Sequence, residues 1–222
     1  MKRINLWTAA AVAVFTLNTM GGALAAIGVW DGAAGPGSGI GDNAAHPWIA
    51  SATGPYAEWN FFNLYPTDAT PDIAGAGSIT ETTGAGFLTS GGNVYSFSAA
   101  TDFDVTLSGA TVAPSYNVYL RIASLGTEAL ATATLNGVAA TAVETFSGAA
   151  SQGLEKELLW TWTGVAPGST YTFNFGASGS SLSLDQVAVY AAGVAAVPEP
   201  GTWALMAAGL VAIGAIARRR VA

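Results

Sequence analysis

The 222-residue sequence contains no cysteine and only one histidine, His46. The absence of cysteine excludes disulfides, thiolate nucleophiles and cysteine-ligated metals. A single histidine excludes any metal site built on several histidines. His46 precedes Pro47, and no Gly-x-Ser-x-Gly motif accompanies it, so the sequence gives no support for a serine hydrolase.

Basic residues are scarce in the middle of the chain. Five of the seven lysines and arginines lie within the first three and the last five residues. Only Arg121 and Lys156 remain between them, against 13 acidic residues from Asp31 to Asp185, which gives this region a net charge of −11. Such a surface repels nucleic acid and anionic lipid headgroups but accepts cations and neutral sugars. We therefore expect no nucleic-acid partner.

The N-terminal segment has the layout of a secretory signal peptide. Met1-Lys2-Arg3 forms a positive n-region, and Leu6–Leu17 is an apolar stretch of 12 residues, well short of a membrane span. Ala23 and Ala25 supply the small side chains that signal peptidase requires before its cleavage site. We therefore expect a signal peptide at residues 1–25, with the mature chain starting directly after it.

The C-terminal segment combines three features in order. Pro198, Glu199 and Pro200 come first, an apolar stretch of 15 residues runs from Trp203 to Ala217, and Arg218-Arg219-Arg220 follows. The prolines fix their own φ and favour extended backbone at the residues before them, so the motif is a stiff, strand-like peptide. A helix of 15 residues is roughly 22 Å long, which falls short of the ~20 residues usually needed to cross a bilayer.

Two anchors compensate for the short apolar stretch. Trp203 suits one membrane interface, and the arginines at 218–220 extend to the other. Basic residues favour the cytoplasmic side of a membrane. The arrangement therefore predicts a single transmembrane helix, with its arginines in the cytoplasm and the Pro-Glu-Pro motif outside the inner membrane.

Residues 197–220 resemble the PEP-CTERM sorting domain of Gram-negative bacteria that produce exopolysaccharide. The resemblance implies that a membrane protease-transpeptidase, an exosortase, recognises Pro198, Glu199 and Pro200 and that the tail is then removed. It also implies a precursor in the inner membrane, facing the periplasm, and a mature protein at the cell surface or in the extracellular matrix. An ordinary C-terminal anchor that is never cleaved is the alternative.

The region between the two signals, residues 26–194, has the length of one domain and the composition of a β protein. Apolar and polar residues alternate in several short segments separated by turn signals, which predicts strands. The alternating apolar positions are Phe103, Val105 and Leu107; Tyr116, Val118, Leu120 and Ile122; Trp160 and Trp162; and Tyr171, Phe173 and Phe175. We therefore predict an all-β fold, an antiparallel β-sandwich.

Shorter patterns refine the strand assignment. Val94–Ser98 is a candidate strand, and Asn136-Gly137 predicts a two-residue hairpin from which Val138–Phe146 returns as one strand. The aromatic block from Tyr56 to Tyr65 is better explained as core than as a ligand platform, because aromatic residues in sheets are mostly buried.

The last predicted strand changes its pattern partway along. Leu182 and Leu184 share one parity, while Val187 and Val189 share the other. A single inserted residue produces such a shift, so we expect a β-bulge at Asp185-Gln186.

Residues 167–190 carry a second resemblance. Pro-Gly-x-x-Tyr-x-Phe followed by Ser-Leu-Asp-Gln-Val-x-Val is similar to the last two strands of galactose-binding and carbohydrate-binding-module jelly rolls. In that group an acidic residue of the final strand sometimes helps to hold structural calcium, and Asp185 matches that position. Calcium takes several oxygen ligands, so a solvated or hydrogen-bonded aspartate is the alternative. No other cofactor is expected, and Asp102 and Asp104 are predicted to be solvated surface residues.

Three functions remain open for this region. The leading hypothesis is a non-enzymatic surface or matrix protein. The alternatives are a carbohydrate-binding module for exopolysaccharide and, third, a glycoside hydrolase, which needs two acids facing each other across a cleft. Glu155 and Glu157 are close in sequence, but neighbours on one strand are not an opposed pair, so no catalytic residue is assigned. Exposed aromatic residues on one sheet face or loop rim would favour the second function, opposed carboxylates the third, and a closed sandwich the first.

The tail hypothesis predicts the effect of replacing Glu199. Glu199→Gln should leave membrane insertion intact, because the apolar stretch and the arginines are unchanged, and should trap the full-length chain in the inner membrane. Removal of Arg218-Arg219-Arg220 should instead weaken the membrane stop and the orientation. Mass spectrometry of the wild-type protein recovered from the cell surface should find chains that begin at Ala26 and lack residues 203–220. Surface chains that still carry residues 203–220 would show that the tail is only an anchor.

Overall fold

The computed structural model describes most of the region between the two predicted signals. The described residues are Trp48, 52–73, 75–150, 153–195, 205–211, Ile213 and Arg218. The predicted signal peptide, with Ala23 and Ala25, lies outside the described residues. So do His46, Pro198, Glu199, Pro200, Arg219 and Arg220.

Thirteen strands lie in the described part of the chain. In chain order they are β1 (Tyr56–Trp59), β2 (Thr67–Asp68), β3 (Gly77–Glu81), β4 (Phe87–Leu88), β5 (Val94–Tyr95), β6 (Asp102–Ala110), β7 (Ser115–Gly126), β8 (Thr132–Leu135), β9 (Val138–Thr141), β10 (Val143–Ala150), β11 (Gly153–Val165), β12 (Gly168–Gly176) and β13 (Leu182–Val194).

The strands form two antiparallel sheets. The seven-stranded sheet has the order β10-β11-β7-β13-β5-β4, and β1 also pairs with β13. The six-stranded sheet has the order β2-β3-β6-β12-β8-β9. The sheets face each other across a shared apolar core, so the predicted all-β antiparallel sandwich is confirmed.

Aromatic rings from the two sheets meet in the core. Trp162 of β11 packs edge-on against Phe173 of β12, with ring centroids 5.7 Å apart, and Trp160 lies 6.2 Å from Phe175. All four side chains are buried. The alternation of apolar and polar residues along β11 and β12 thus identified the core-facing side of both strands correctly.

The predicted hairpin is present, but the strand that follows it is shorter than predicted. Asn136 and Gly137 both have positive φ, 49° and 81°, as a two-residue turn between β8 and β9 requires. The predicted return strand Val138–Phe146 is wrong in one respect, because it divides at Ala142. The first part, β9, belongs to the six-stranded sheet, whereas β10 belongs to the seven-stranded sheet.

The predicted β-bulge in the last strand is confirmed. The register of β13 against β7 shifts between Leu184 and Gln186, which leaves Asp185 as the extra residue. The bulge lets Leu184 and Val187 both face the core, although they are three residues apart. A regular strand would turn one of them to the outer face.

The aromatic block contributes mainly to the core, as predicted. Its first four residues form β1, and the side chains of Trp59 and Phe62 are fully buried. The candidate strand Val94–Ser98 is shorter than predicted, since β5 ends at Tyr95.

Part of the C-terminal tail is helical in the described residues. Helix covers 205–211, and its apolar side chains Leu205, Met206, Leu210 and Val211 are exposed. Within the part of the tail that the structure describes, no helix has the length and apolar character needed to cross a membrane.

Phe173 provides a test of the core assignment. Its ring is fully buried between the sheets, so Phe173→Ala should lower the free energy of unfolding by about 3–5 kcal/mol. Val112→Ala is the matched control, because Val112 is 94% exposed and its truncation should cost less than about 0.5 kcal/mol. Urea unfolding of the full-length chain, followed by tryptophan fluorescence, measures both. Equal costs for the two variants would contradict the assigned core.

Candidate functional site

One row of side chains crosses the outer face of the seven-stranded sheet near the bulge. Residues directly opposite each other in adjacent antiparallel strands share a face. The register places Phe87 beside Tyr95, Tyr95 beside Ser183, and Ser183 beside Leu125. The next residue, Leu184, is buried in the core, so this row lies on the side away from the core.

Three aromatic rings gather at the end of this row. Phe87 and Phe97 stack with centroids 5.3 Å apart and an interplanar angle of 25°. Tyr95 stands edge-on to both rings, at 5.9 Å from Phe87 and 4.8 Å from Phe97. Phe97 is 71% exposed and Phe87 is 38% exposed. Large apolar rings that remain in water at this level mark a surface suited to binding.

The rings form one side of a groove of about 720 Å³, called the aromatic groove below. Apart from Leu125, its remaining walls are formed by small or polar residues. The lining residues besides the three rings are Thr89, Ser90, Gly91, Asn93, Leu125, Gly126, Ser181 and Ser183. None of these lining residues carries a charge. The groove therefore offers ring faces together with neutral hydroxyl, amide and backbone groups.

Hydrogen bonds hold the polar wall in place. The side-chain amide of Asn93 donates to the hydroxyl of Ser183, and the hydroxyl of Thr89 donates to the amide oxygen of Asn93. The backbone N–H of Gly91 donates to the hydroxyl of Thr89 at 3.2 Å. The β4–β5 turn is thereby tied to β13, the strand that crosses the middle of the sheet.

A glycine fixes the same turn against the aromatic block. Gly92 has a φ of +80°, and a Cβ at this position would lie 2.2 Å from the ring of Phe61. The backbone N–H of Phe62 donates to the carbonyl of Gly92 at 2.7 Å. Only glycine satisfies both the backbone conformation and the close contact.

Glu81 organises the turn that leads into β4. Its carboxylate accepts hydrogen bonds from the backbone N–H groups of Thr83 and Gly84, at 2.9 and 2.8 Å, and from the hydroxyl of Tyr65 at 2.8 Å. Burial by itself raises the pKa of Glu81, but the hydrogen bonds from Thr83 and Tyr65 outweigh it and leave the pKa below its usual value. The carboxylate thus positions the segment that carries Phe87.

The centre of the same outer face is closed to ligands. The guanidinium of Arg121 is 0% exposed and pairs with the carboxylate of Glu157. The ring of Trp48 lies over this guanidinium at 5.5 Å, and the backbone N–H of Trp48 donates to Glu58 at 3.0 Å. Because Trp48 covers this cluster, the cluster is not accessible to a ligand, whereas the aromatic groove is open.

A second cavity, of about 640 Å³, lies beside the β8–β9 hairpin. Its walls are mainly aliphatic, with Val138 and Val143 exposed at the rim. The single ring that lines it, Trp162, is 6% exposed, and its indole N–H is already bonded to the carbonyl of Val138 at 2.9 Å. This cavity lacks the exposed ring faces that distinguish the aromatic groove.

The predicted acidic site residues occupy different places. Asp185 is buried at the bulge, and the described residues contain no group of three or more acidic or histidine side chains suited to a metal ion. Calcium binding by Asp185 therefore stays a prediction. Asp102 and Asp104 both accept hydrogen bonds from the amide of Asn174, at 2.5 and 3.1 Å. The interpretation of these two as simply solvated is thus incomplete.

Glu155 and Glu157 lie on the same side of one strand. Both are buried on the outer face of the seven-stranded sheet, where the register pairs them with Leu125 and Ala123 of β7. They do not face each other across a cleft, which agrees with the reason for assigning no catalytic role to them.

The sequence contained part of the signal for the aromatic groove. Tyr95 and Phe97 share one parity, opposite to that of Val94, so a strand there would place both rings on one side. Phe87 joins them because the β4–β5 hairpin closes, which places Phe87 directly beside Tyr95. Neither Phe87 nor Phe97 was identified as a site residue from the sequence.

Comparison with known proteins identifies the tail. The model of the PEP-CTERM protein-sorting motif matches residues 196–220, and Arg218 is exposed in the described part of this segment. The match supports exosortase-dependent sorting of an exported protein that passes through a membrane-anchored precursor. No curated protein and no solved structure matches the chain, so the resemblance to galactose-binding jelly rolls gains no support.

The Glu81 network predicts a pH-dependent stability difference. A carboxyl with a lowered folded-state pKa stabilises the fold above its unfolded pKa and loses that contribution as pH falls through the folded value. Glu81→Gln should therefore lower the free energy of unfolding by about 1–3 kcal/mol at neutral pH. The NH₂ group of the glutamine would face N–H and O–H donors from which the carboxylate accepts hydrogen bonds. The difference from wild type should shrink in acid.

Urea unfolding at neutral and acidic pH measures this difference. Glu128→Gln is the control, since Glu128 is an exposed partner of Lys156 and its removal should cost at most about 1 kcal/mol. A Glu81→Gln cost that stays constant from neutral pH into acid would contradict the assigned role of the carboxylate.

Proposed function

We propose that this protein is an exported, non-enzymatic carbohydrate-binding protein of the cell surface or extracellular matrix, and that the aromatic groove is its binding site. The observation that carries the proposal is the exposure of the stacked Phe87–Phe97 pair beside a wall of hydroxyl and amide groups. Sugar rings present apolar C–H faces and polar edges, so they complement ring faces that lie next to neutral hydrogen-bonding groups.

The sorting tail is consistent with this role. In the proposed route, signal peptidase removes residues 1–25, and the tail holds the precursor in the inner membrane with its domain in the periplasm. An exosortase then acts at Pro198-Glu199-Pro200, and the mature protein reaches exopolysaccharide outside the cell. Its acidic domain and its uncharged groove suit a matrix rich in sugar hydroxyls.

The two alternatives are less well supported. A purely structural role does not explain why Phe97 is exposed beside polar groups that hydrogen bonds already hold in place. A glycoside hydrolase requires two carboxylates that flank the scissile bond. Glu155 and Glu157, the pair considered from the sequence, are neighbours on one face of β11. The proposed binding needs no cofactor.

Phe97→Ala tests the proposal directly. Loss of one exposed ring should weaken binding to a recognised polysaccharide by about tenfold, equivalent to 1.4 kcal/mol, because a stacking face disappears. The free energy of unfolding should change by less than about 0.5 kcal/mol, since Phe97 is mostly exposed. Affinity electrophoresis of the full-length chain against a panel of polysaccharides, in a detergent without a sugar headgroup, measures the retardation.

Val112→Ala is the matched control, because it removes another exposed apolar side chain. Val112 precedes β7, whereas the groove lies at the far end of β7, roughly 35 Å away for a strand of this length. Binding by Val112→Ala should equal that of wild type. Equal retardation of all three proteins, or no retardation by any polysaccharide, would reject the groove as a carbohydrate site.

A further inference from the structure

We propose that the aromatic groove selects an uncharged polysaccharide and rejects chains that carry carboxylate or sulfate groups. This inference rests on the proposed carbohydrate-binding function and names the ligand class. It follows from where the few charges of the domain lie and what each of them contacts.

The groove itself contains no group that would bind an anion by charge. Its lining residues with polar side chains are Thr89, Ser90, Asn93, Tyr95, Ser181 and Ser183. Hydroxyls and amides both donate and accept hydrogen bonds, which matches the hydroxyls of neutral sugars. Strong recognition of a carboxylate or sulfate instead uses charge-assisted hydrogen bonds, most often from arginine or lysine.

Neither basic residue of the region between the signals is available to supply that charge. Arg121 is fully buried and paired with Glu157 beneath the ring of Trp48. Lys156 contacts Glu128 and Glu144, at 2.6 and 2.9 Å. Hydrogen bonds to these two glutamates raise the pKa of Lys156, so it remains charged and committed to them.

The rest of the domain adds repulsion. With 13 acidic and two basic residues from Asp31 to Asp185, its net charge is −11. The negative charge of the domain would repel an anionic polymer that approaches the groove, and no basic side chain in the groove would offset this repulsion. The repulsion would be strongest at low salt. A neutral chain experiences no such penalty, so its affinity should vary little with salt.

The position of Ser90 allows an anion-binding charge to be added to the groove. Ser90 is an exposed turn residue that lines the groove. In the sequence it lies between Phe87 and Asn93, which line the groove as well. Its backbone has no positive φ, so a longer side chain fits without strain. Ser90→Lys would place one unpaired cation beside the rings, and Ser90→Gln is a matched uncharged control of similar length.

The test is affinity electrophoresis of the full-length chain with neutral and anionic probes, with chelator present throughout to remove bridging cations. Dextran, β-1,3-glucan, xylan and galactomannan are the neutral probes. Alginate and polygalacturonate are the carboxylated probes, and dextran sulfate is the sulfated probe. We expect at least one neutral probe to bind, with an affinity that changes less than about twofold when salt rises tenfold. We expect every anionic probe to bind at least about tenfold more weakly.

The variants separate the possible outcomes. Phe97→Ala should weaken the neutral binding by about tenfold, as above. Ser90→Lys, but not Ser90→Gln, should introduce salt-sensitive binding of an anionic probe. If wild type binds an anionic probe as tightly as the neutral probes, and Phe97→Ala weakens that binding by about tenfold, the inference is overturned while the carbohydrate site stands. No binding of any probe would overturn the proposed function itself, and the inference with it.

Discussion

The fold depends on the two-sided pairing of β13. One edge of this 13-residue strand pairs with β7 along its whole length. Its other edge pairs with β5 near the N-terminal end and with β1 in the middle. Its core-facing side chains are fully buried. A strand enclosed in this way cannot slip by one residue without turning its whole apolar set to the wrong face.

The bulge at Asp185 allows β13 to pair on both edges and still keep its apolar side chains in the core. The bulge changes which side chains of β13 face the core. It does so at the point where the strand that pairs with β13 on the edge opposite β7 changes from β5 to β1. The β5 side of the outer face therefore carries small and aromatic groups around Ser183. The β1 side carries the closed cluster of Glu58, Arg121 and Glu157. One inserted residue thus separates an accessible groove from a covered ionic cluster.

Most strands could be predicted from local patterns, because each of these patterns involves only residues that are close together in the sequence. The alternation around Phe103, Tyr116 and Tyr171, the turn at Asn136-Gly137 and the parity shift at Asp185 all fall in this class. The exchange of sheets at Ala142 was not predictable in this way. A period of two indicates that a segment is a strand, but β9 and β10 alternate alike in whichever sheet they lie.

The site was harder to predict for a related reason. Alternation assigns Arg121 and Glu157 to the face away from the core, yet it contains no information about what covers that face. Trp48 provides the cover from far along the sequence. The groove likewise depends on Phe87, which reaches Tyr95 only through the closed hairpin. Long-range packing, rather than local propensity, decides which polar residues are hidden and which rings are exposed.

The positions of the sorting tail and of the groove define the direction in which a force would act on the domain. The tail follows β13 within two residues of Val194, while the groove lies beside Ser183 near the other end of the same strand. A force applied between the C-terminal end of β13 and the groove therefore acts along the axis of β13. Tension in this direction loads the ladder between β13 and β7 in shear, so that its hydrogen bonds resist together. Tension across the strands would instead open them one after another, at a much lower force.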